Sequence, residues 1–260
     1  MSRFMLVLEY SGTRYSGWQI QKNARTVQGE LASAVRALSG RSDFELQGSG
    51  RTDAGVHALG QVAHLDLETR LPPEALQYAI NDNVPADINV LSVRKVSRRF
   101  HARHDARARS YIYQISRRRT ALFKPYVWWI KDPLDADRMR EAAGLFRGMK
   151  DFRSFTDRDP GESSTRVLLE GLQLEERGGL VLLRVRGSHF LWKMVRRIVG
   201  VLAEIGRGSL RPKDAARFLK ETSDEPGRLT APPSGLFLER VFYEDGVADE
   251  PLRSVTPLER

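Results

Sequence analysis

Arg3–Tyr10 (RFMLVLEY) opens the chain with a short apolar run, Phe4–Leu8, between polar residues, and reads as a strand. A turn-rich loop follows, through Ser11-Gly12, Ser16-Gly17 and Trp18. Thr26 is suited to cap a helix whose apolar face is Val27, Leu31, Ala34, Val35 and Leu38. Phe44–Gln47 and Gln61–Leu67 read as strands, Pro72-Pro73 opens a helix through Leu76, Tyr78 and Ile80, and Ile88–Val96 is a further strand. The order over this stretch is β-α-β-β-α-β.

The second half repeats the order without repeating the sequence. Ser110–Ser116 reads as a strand and Ala136–Phe146 as a helix. Val167–Glu176 and Leu180–Val185 form a hairpin over Gly178-Gly179, a two-residue turn signal. A helix over about 189–205, a shorter one over Pro212–Lys220 and the strand Leu236–Tyr243 complete the set. The pattern predicts an α+β protein of two tandem ferredoxin-like halves with antiparallel sheets. We expect an N-terminal half at 1–104, a C-terminal half at 105–244 and a loose acidic, Pro-containing tail at 245–260.

Composition narrows the classes. The 260 residues suffice for a full core, and 41% hydrophobic with 29% charged residues suits a globular protein. The absence of cysteine excludes a disulfide framework and thiol chemistry. No apolar run approaches a membrane span, and Met1-Ser2-Arg3-Phe4 lacks the apolar core of a signal peptide, so a cytoplasmic protein is expected. The formal charge is +9 and the pI about 10.0, pointing to a polyanionic partner. The excess is concentrated: between Arg94 and Arg119 ten Lys and Arg residues face one acid, Asp105. Arginine dominates, and its guanidinium fork suits bidentate phosphate contacts.

The candidate chemistry lies in Gly48-Ser49-Gly50-Arg51-Thr52-Asp53-Ala54-Gly55-Val56-His57. Small residues let this backbone approach a ligand, and Arg51 stands two positions before the single carboxylate, Asp53, where its charge favours the ionised form. The run is not a dinucleotide fingerprint, because Asp53 interrupts the glycine pattern and a strand follows where a helix is required. It is not a P-loop either, because no Gly-Lys-Ser/Thr closes it. His101-x-x-His104-Asp105 has metal-like spacing but no accompanying Glu or Cys, so no metal is expected. His57, His64 and His189 are expected to bind backbone or phosphate groups.

Gly50-Arg-Thr-Asp-Ala-Gly-Val-His57 resembles the signature of the TruA-type tRNA pseudouridine synthases, in which the Asp is the catalytic nucleophile. Phe100-His101-Ala102-Arg103 with Ala108-Arg109-Ser110-Tyr111-Ile112-Tyr113 resembles the family's second motif, whose first Tyr stacks on the target base. The family often has Lys where Arg109 stands. His189–Gly200 (HFLWKMVRRIVG) resembles the third motif, whose Arg, here Arg196, pairs with the nucleophile. Ala231–Leu238 (APPSGLFL) resembles the closing motif, whose Leu, here Leu236, packs beside the base. Tyr10-Ser-Gly-Thr13 with Gly17-Trp-Gln19, Val27-Gln-Gly29, Asn83–Ile88 and Asp151–Phe155 extend the likeness along nearly the whole chain. Lys150 departs from a common His, and the tail after Glu244 lies outside it.

The resemblance implies conversion of uridine to pseudouridine at positions 38–40 of the tRNA anticodon stem-loop, in an active-site cleft between the halves, without cofactor or metal. Asp53 is the implied nucleophile, with Tyr111, Arg51, Arg196 and Leu236 as substrate-binding residues. Whether Asp53 attacks C1′ or C6, or deprotonates C2′, is left open. The implied partner is tRNA, with no membrane, and the implied assembly a homodimer. The competing readings are a non-catalytic basic RNA-binding protein, or a synthase acting at other RNA sites.

Overall fold

The computed structural model describes residues 1–157 and 164–258. In chain order its elements are β1 (Ser2–Tyr10), α1 (Val27–Ser39), β2 (Glu45–Gly48), β3 (His57–Leu67), α2 (Pro73–Asn81), β4 (Ile88–Val96), β5 (Ala108–Ser116), β6 (Trp128–Trp129), α3 (Ala136–Gly144), β7 (Gly148–Asp151), β8 (Arg166–Arg177), β9 (Leu180–Gly187), α4 (Met194–Arg207), α5 (Pro212–Lys220), α6 (Glu225–Arg228) and β10 (Leu236–Phe242). They form two compact units: Met1–Arg107 with Phe237–Gly246, and Ala108–Leu236 with Val247–Arg260. No helix among the described residues is long and apolar enough to cross a membrane.

In the first unit, β1 lies between β3 and β4, antiparallel to both, and the short β2 runs antiparallel along β3. The core is built from Leu6 and Leu8 of β1, Leu65 and Leu67 of β3, Val27, Leu31 and Val35 of α1, and Leu76 and Ile80 of α2, all fully buried. Each such side chain withdrawn from water contributes roughly 1.5–3 kcal/mol. Thr26 caps α1 as its sequence requires: in extended backbone, its hydroxyl accepts the Gly29 N–H at 3.2 Å.

The expected division at 104/105 differs from the observed one at the closing strand. Residues Phe237–Gly246 belong with the first unit. Phe237 and Leu238 pair in parallel with His57 and Ala58, the Phe242 carbonyl accepts the Arg107 N–H at 2.8 Å, and the Tyr243 hydroxyl donates to the Ala102 carbonyl at 2.7 Å. This pairing also makes the sheet mixed where antiparallel sheets were expected. A strand returning from far along the chain needs no hairpin and is free to pair in parallel.

In the second unit β5, β9, β8 and β7 pair antiparallel in that order, and β6 adds a short parallel pair to β5. The Gly178-Gly179 hairpin forms as its sequence predicts, with Arg177 opposite Leu180 and Gly178 at φ 54°. β6 and β7, of two and four residues, are too short to show a period. Phe146 and Phe152 stack and Phe155 meets both edge-on in one buried cluster, so Phe152 and Phe155 of the Asp151–Phe155 string are packing residues.

Over its described residues, 245–258, the tail is not loose; 259–260 lie outside the described residues. Leu252 and Leu258 are each 1% exposed and join Ile112, Val127, Leu180 and Leu182 in one apolar cluster. The Val255 N–H donates to Gln114 Oε1 at 2.7 Å, and Arg184 Nη1 donates to the Glu250 carbonyl at 2.6 Å. Two leucines spaced along a polar segment give no periodic signal, so their anchoring role is invisible in the sequence.

Candidate active site

The Asp53 loop is held on both flanks by the first unit. On one side, Ser49 is 1% exposed. Its N–H donates to the Val62 carbonyl at 2.7 Å, its hydroxyl donates to Gln61 Oε1 at 2.8 Å, and Gln61 Nε2 donates to the Gly50 carbonyl at 3.1 Å. On the other side, the buried His57 ring stacks on Phe237 at 4.7 Å, and its Nδ1 accepts the Gly12 N–H at 3.1 Å. His57 is therefore a scaffold residue, as its sequence setting suggested.

Between these flanks the loop leans on the Tyr10–Trp18 segment. The Tyr10 and Thr52 hydroxyls share a hydrogen bond of 2.8 Å, the Thr52 carbonyl accepts the Trp18 N–H at 3.1 Å, and Gly55 N–H donates to the Tyr15 carbonyl at 3.2 Å. Gly17 makes this approach possible. Its φ is 92°, and a Cβ there would lie 2.5 Å from the Thr52 carbonyl oxygen. Within the Gly-rich run itself, Gly55 takes the left-handed conformation, with φ 77°, and Val56 N–H closes the turn on the Asp53 carbonyl at 3.1 Å. The backbone around Asp53 is thus tied down by hydrogen bonds on both sides, while its side chain is half-buried and Arg51 is exposed. That arrangement fixes where the carboxylate is presented.

The second unit joins the other motifs. Tyr111 and Tyr113 share one face of β5, as their spacing requires. Tyr111 is 9% exposed and meets the Phe190 ring edge-on at 5.0 Å. Tyr113 is fully buried, and its hydroxyl donates to the Pro232 carbonyl at 2.8 Å. Burial pushes the Tyr113 phenol up, opposed by the charge of Arg196, so it stays a protonated donor. Arg196 Nε donates to the Ala231 carbonyl at 2.7 Å. Gly200, one turn on, brings α4 against this same segment: a Cβ there would lie 1.6 Å from the Leu229 carbonyl oxygen. Leu236, 5% exposed, follows shortly after Pro232.

Tyr111, Arg196 and Leu236 are thus residues of the second unit, tied through Tyr113, Ala231 and Pro232, whereas Asp53 and Arg51 belong to the first. The helix carrying Arg196 starts later than the apolar pattern suggested. It begins at Met194, not His189, because Lys193 stands in the left-handed conformation with φ 60°.

Two further histidines are scaffold groups. The buried His64 accepts the Ala102 N–H at Nδ1 (3.1 Å), and His101 Nδ1 accepts the N–H groups of Arg103 and His104 at 3.2 Å each. Asp105 accepts the His101 N–H at 2.9 Å, so this motif closes a turn. In the basic window, Arg109 donates to the Ser188 carbonyl at 3.1 Å and Arg117 pairs with Glu176. An open cavity of about 490 Å³ beside Arg196, lined also by Asp157, Lys193, Arg197 and Arg228, was not legible as a site in the sequence.

The tRNA pseudouridine synthase family matches residues 6–105 and 142–244. The chain is 40% identical over 246 residues to tRNA pseudouridine synthase A of Pseudothermotoga lettingae, covering 94% of this chain and 100% of that protein. It is 38% identical over 245 residues to the Thermoanaerobacter sp. protein of that name, with 94% and 100% covered. With tRNA pseudouridine synthase A of Rhodopseudomonas palustris it shares 40% over 247 residues, again with 94% and 100% covered. On this likeness, which spans nearly the whole chain, the protein belongs to the tRNA pseudouridine synthase A (TruA) family.

Proposed function

We propose that the protein isomerises uridine to pseudouridine at positions 38–40 of the tRNA anticodon stem-loop, with Asp53 as nucleophile. The observation that carries this reading is the Asp53 loop: one half-buried carboxylate on a backbone held by hydrogen bonds on both sides. The reaction needs such a group. The N1–C1′ bond of the uridine breaks, the base turns, C5 bonds to C1′, the C5 hydrogen leaves as a proton, and N1 takes up a proton. The product is an isomer of the substrate, so the balance requires no oxidant, metal or cofactor.

The target base has to leave the helical stack, at a cost of a few kcal/mol, before a carboxylate can reach it. In our reading Tyr111 stacks on that base, Leu236 packs beside it, and Arg51 and Arg196 supply positive charge for the Asp53 carboxylate and the RNA. Two ferredoxin-like units, a cytoplasmic location and a homodimer complete the proposal. The order of elements in the first unit and the β4-β1-β3 pairing with β2 beside β3 support the ferredoxin-like reading.

Unmodified tRNA transcripts with uridine retained singly at position 38, 39 or 40 test the site assignment. Pseudouridine is mapped after incubation with the protein, and product is expected at each. Product confined to uridines outside the anticodon arm would replace this assignment with another RNA site.

A further inference from the structure

The cavity beside Arg196 lies wholly within the second unit and is lined by four cations, Lys193, Arg196, Arg197 and Arg228, against two carboxylates, Asp157 and Asp224. Setting aside Arg196, which the proposed chemistry already uses, three cations still face two anions. Arg197 is the telling group. Its side chain is 6% exposed, its Nη2 donates to Asp157, and its Nε is buried with no hydrogen-bond partner among the described residues. A guanidinium brought this far out of water with a donor unused is costly in an ordinary packing position.

Lys193 converges on the same place. Its Nζ lies 3.0 Å from Asp157 Oδ2 and 4.2 Å from the centre of the half-exposed Trp192 ring. The residue is held there in a left-handed conformation, φ 60° and ψ 3°, which lysine seldom adopts. Among the described residues it is the one non-glycine with positive φ. Arg228, at the end of α6, is exposed at the cavity rim. Burial opposes ionisation of Asp157, but the hydrogen bonds from Lys193 and Arg197 outweigh it and hold the carboxyl below its ordinary range. An anion therefore already occupies the point where the cations meet.

We propose that this cavity is a phosphodiester subsite, in which an RNA phosphate replaces the Asp157 carboxylate on Lys193 and Arg197 and gains Arg228 as a third contact. The two non-bridging oxygens of a phosphodiester match the two oxygens of the carboxylate they displace, and the unused Arg197 Nε–H supplies a further donor. Asp157 keeps the cations arranged while RNA is absent and competes with the phosphate when it arrives. The proposal rests on the synthase reading, since it presumes RNA bound close to Arg196.

The test is the salt dependence of tRNA binding by the full chain. Removing one cation–phosphate pairing lowers the slope of log K against log salt by about 0.7–0.9. We expect that decrease for Arg228→Gln and for Lys193→Gly, the latter a residue that takes φ 60° without strain, so that its melting temperature is kept. Asp157→Asn removes the competitor and is expected to bind tRNA more tightly than wild type. Unchanged slopes in Arg228→Gln and Lys193→Gly, or weaker binding by folded Asp157→Asn, would overturn the subsite. Tritium release from uracil C5 at saturating enzyme separates the two ideas. Its absence in wild type that still binds tRNA removes the synthase reading, whereas normal release with unchanged slopes removes only the subsite.

Discussion

Arg196 and Ala231 are joined twice: Arg196 Nε donates to the Ala231 carbonyl at 2.7 Å, and the Ala231 N–H donates to the Arg196 carbonyl at 3.1 Å. This pair of hydrogen bonds ties the first turn of α4 to the segment that leads through Pro232 into Leu236. One edge of the guanidinium is thereby spent on orientation. Lysine keeps the charge but has no donor at that position. Arg196→Lys is therefore expected to lose about 0.5–1.5 kcal/mol in urea denaturation. Its single-turnover rate should fall by a factor of roughly 10–100, through misplacement of the charge, with tRNA affinity little changed. A variant as active as wild type would show that charge alone suffices.

The same segment limits what α4 accepts. A methyl group at position 200 would sit 1.6 Å from the Leu229 carbonyl oxygen, well inside contact distance, so helix and segment have to separate. Although alanine is the better helix former, Gly200→Ala should cost about 1–3 kcal/mol or more. Equilibrium denaturation reads this directly, and a stabilised variant would contradict the packing described.

Stability should fall on mild acidification through His64. Burial, with the charges of Arg3 and His101, holds its pKa below the ordinary 6.5, while Glu45 and Asp66 act in the opposite sense. His101 beside it is lowered too, by burial and by His104. In the unfolded chain these imidazoles take up protons near 6.5; in the folded chain they do so only at lower pH. The folded state then binds fewer protons, so the contribution is complete above about pH 6.5 and is lost as pH falls through the folded pKa. Melting temperature measured from about pH 7 to 5 should drop, and His64→Gln, which retains an acceptor for the Ala102 N–H, should drop less. Equal slopes would exclude His64 as the source.

The C-terminal segment should behave as part of the core. Leu252→Ala removes a side chain that is 1% exposed and is expected to cost about 2–5 kcal/mol. Truncation after Gly246 would additionally expose Ile112, Leu180 and Leu182, raising binding of a hydrophobic dye. A truncated chain as stable as the full one would return the segment to the status of a tail.

What the sequence discloses follows the range of each interaction. Thr26 and its cap, the Gly178-Gly179 turn and the helix Pro212–Lys220 are local, and all are readable from neighbouring residues. Asp53 stands out as a candidate because its whole motif is contiguous. The placement of Phe237 against His57 depends on a parallel pairing between distant segments, which no local pattern encodes. Lys193 breaks its helix through one backbone angle in an otherwise unbroken apolar period. The cation cavity is hidden for a similar reason, since Asp157 and Lys193 meet across 36 residues.

The role of Asp53 is tested most directly by tritium release from uracil C5 of an unmodified tRNA transcript, comparing wild type with Asp53→Ala under conditions of equal tRNA binding. Bonding C5 to the sugar expels that hydrogen, so the release reports the chemistry itself. Release by wild type and none by Asp53→Ala is the expected result. Release by both would remove Asp53 from the chemistry, and release by neither, with tRNA bound, would make the protein an RNA-binding protein without this activity.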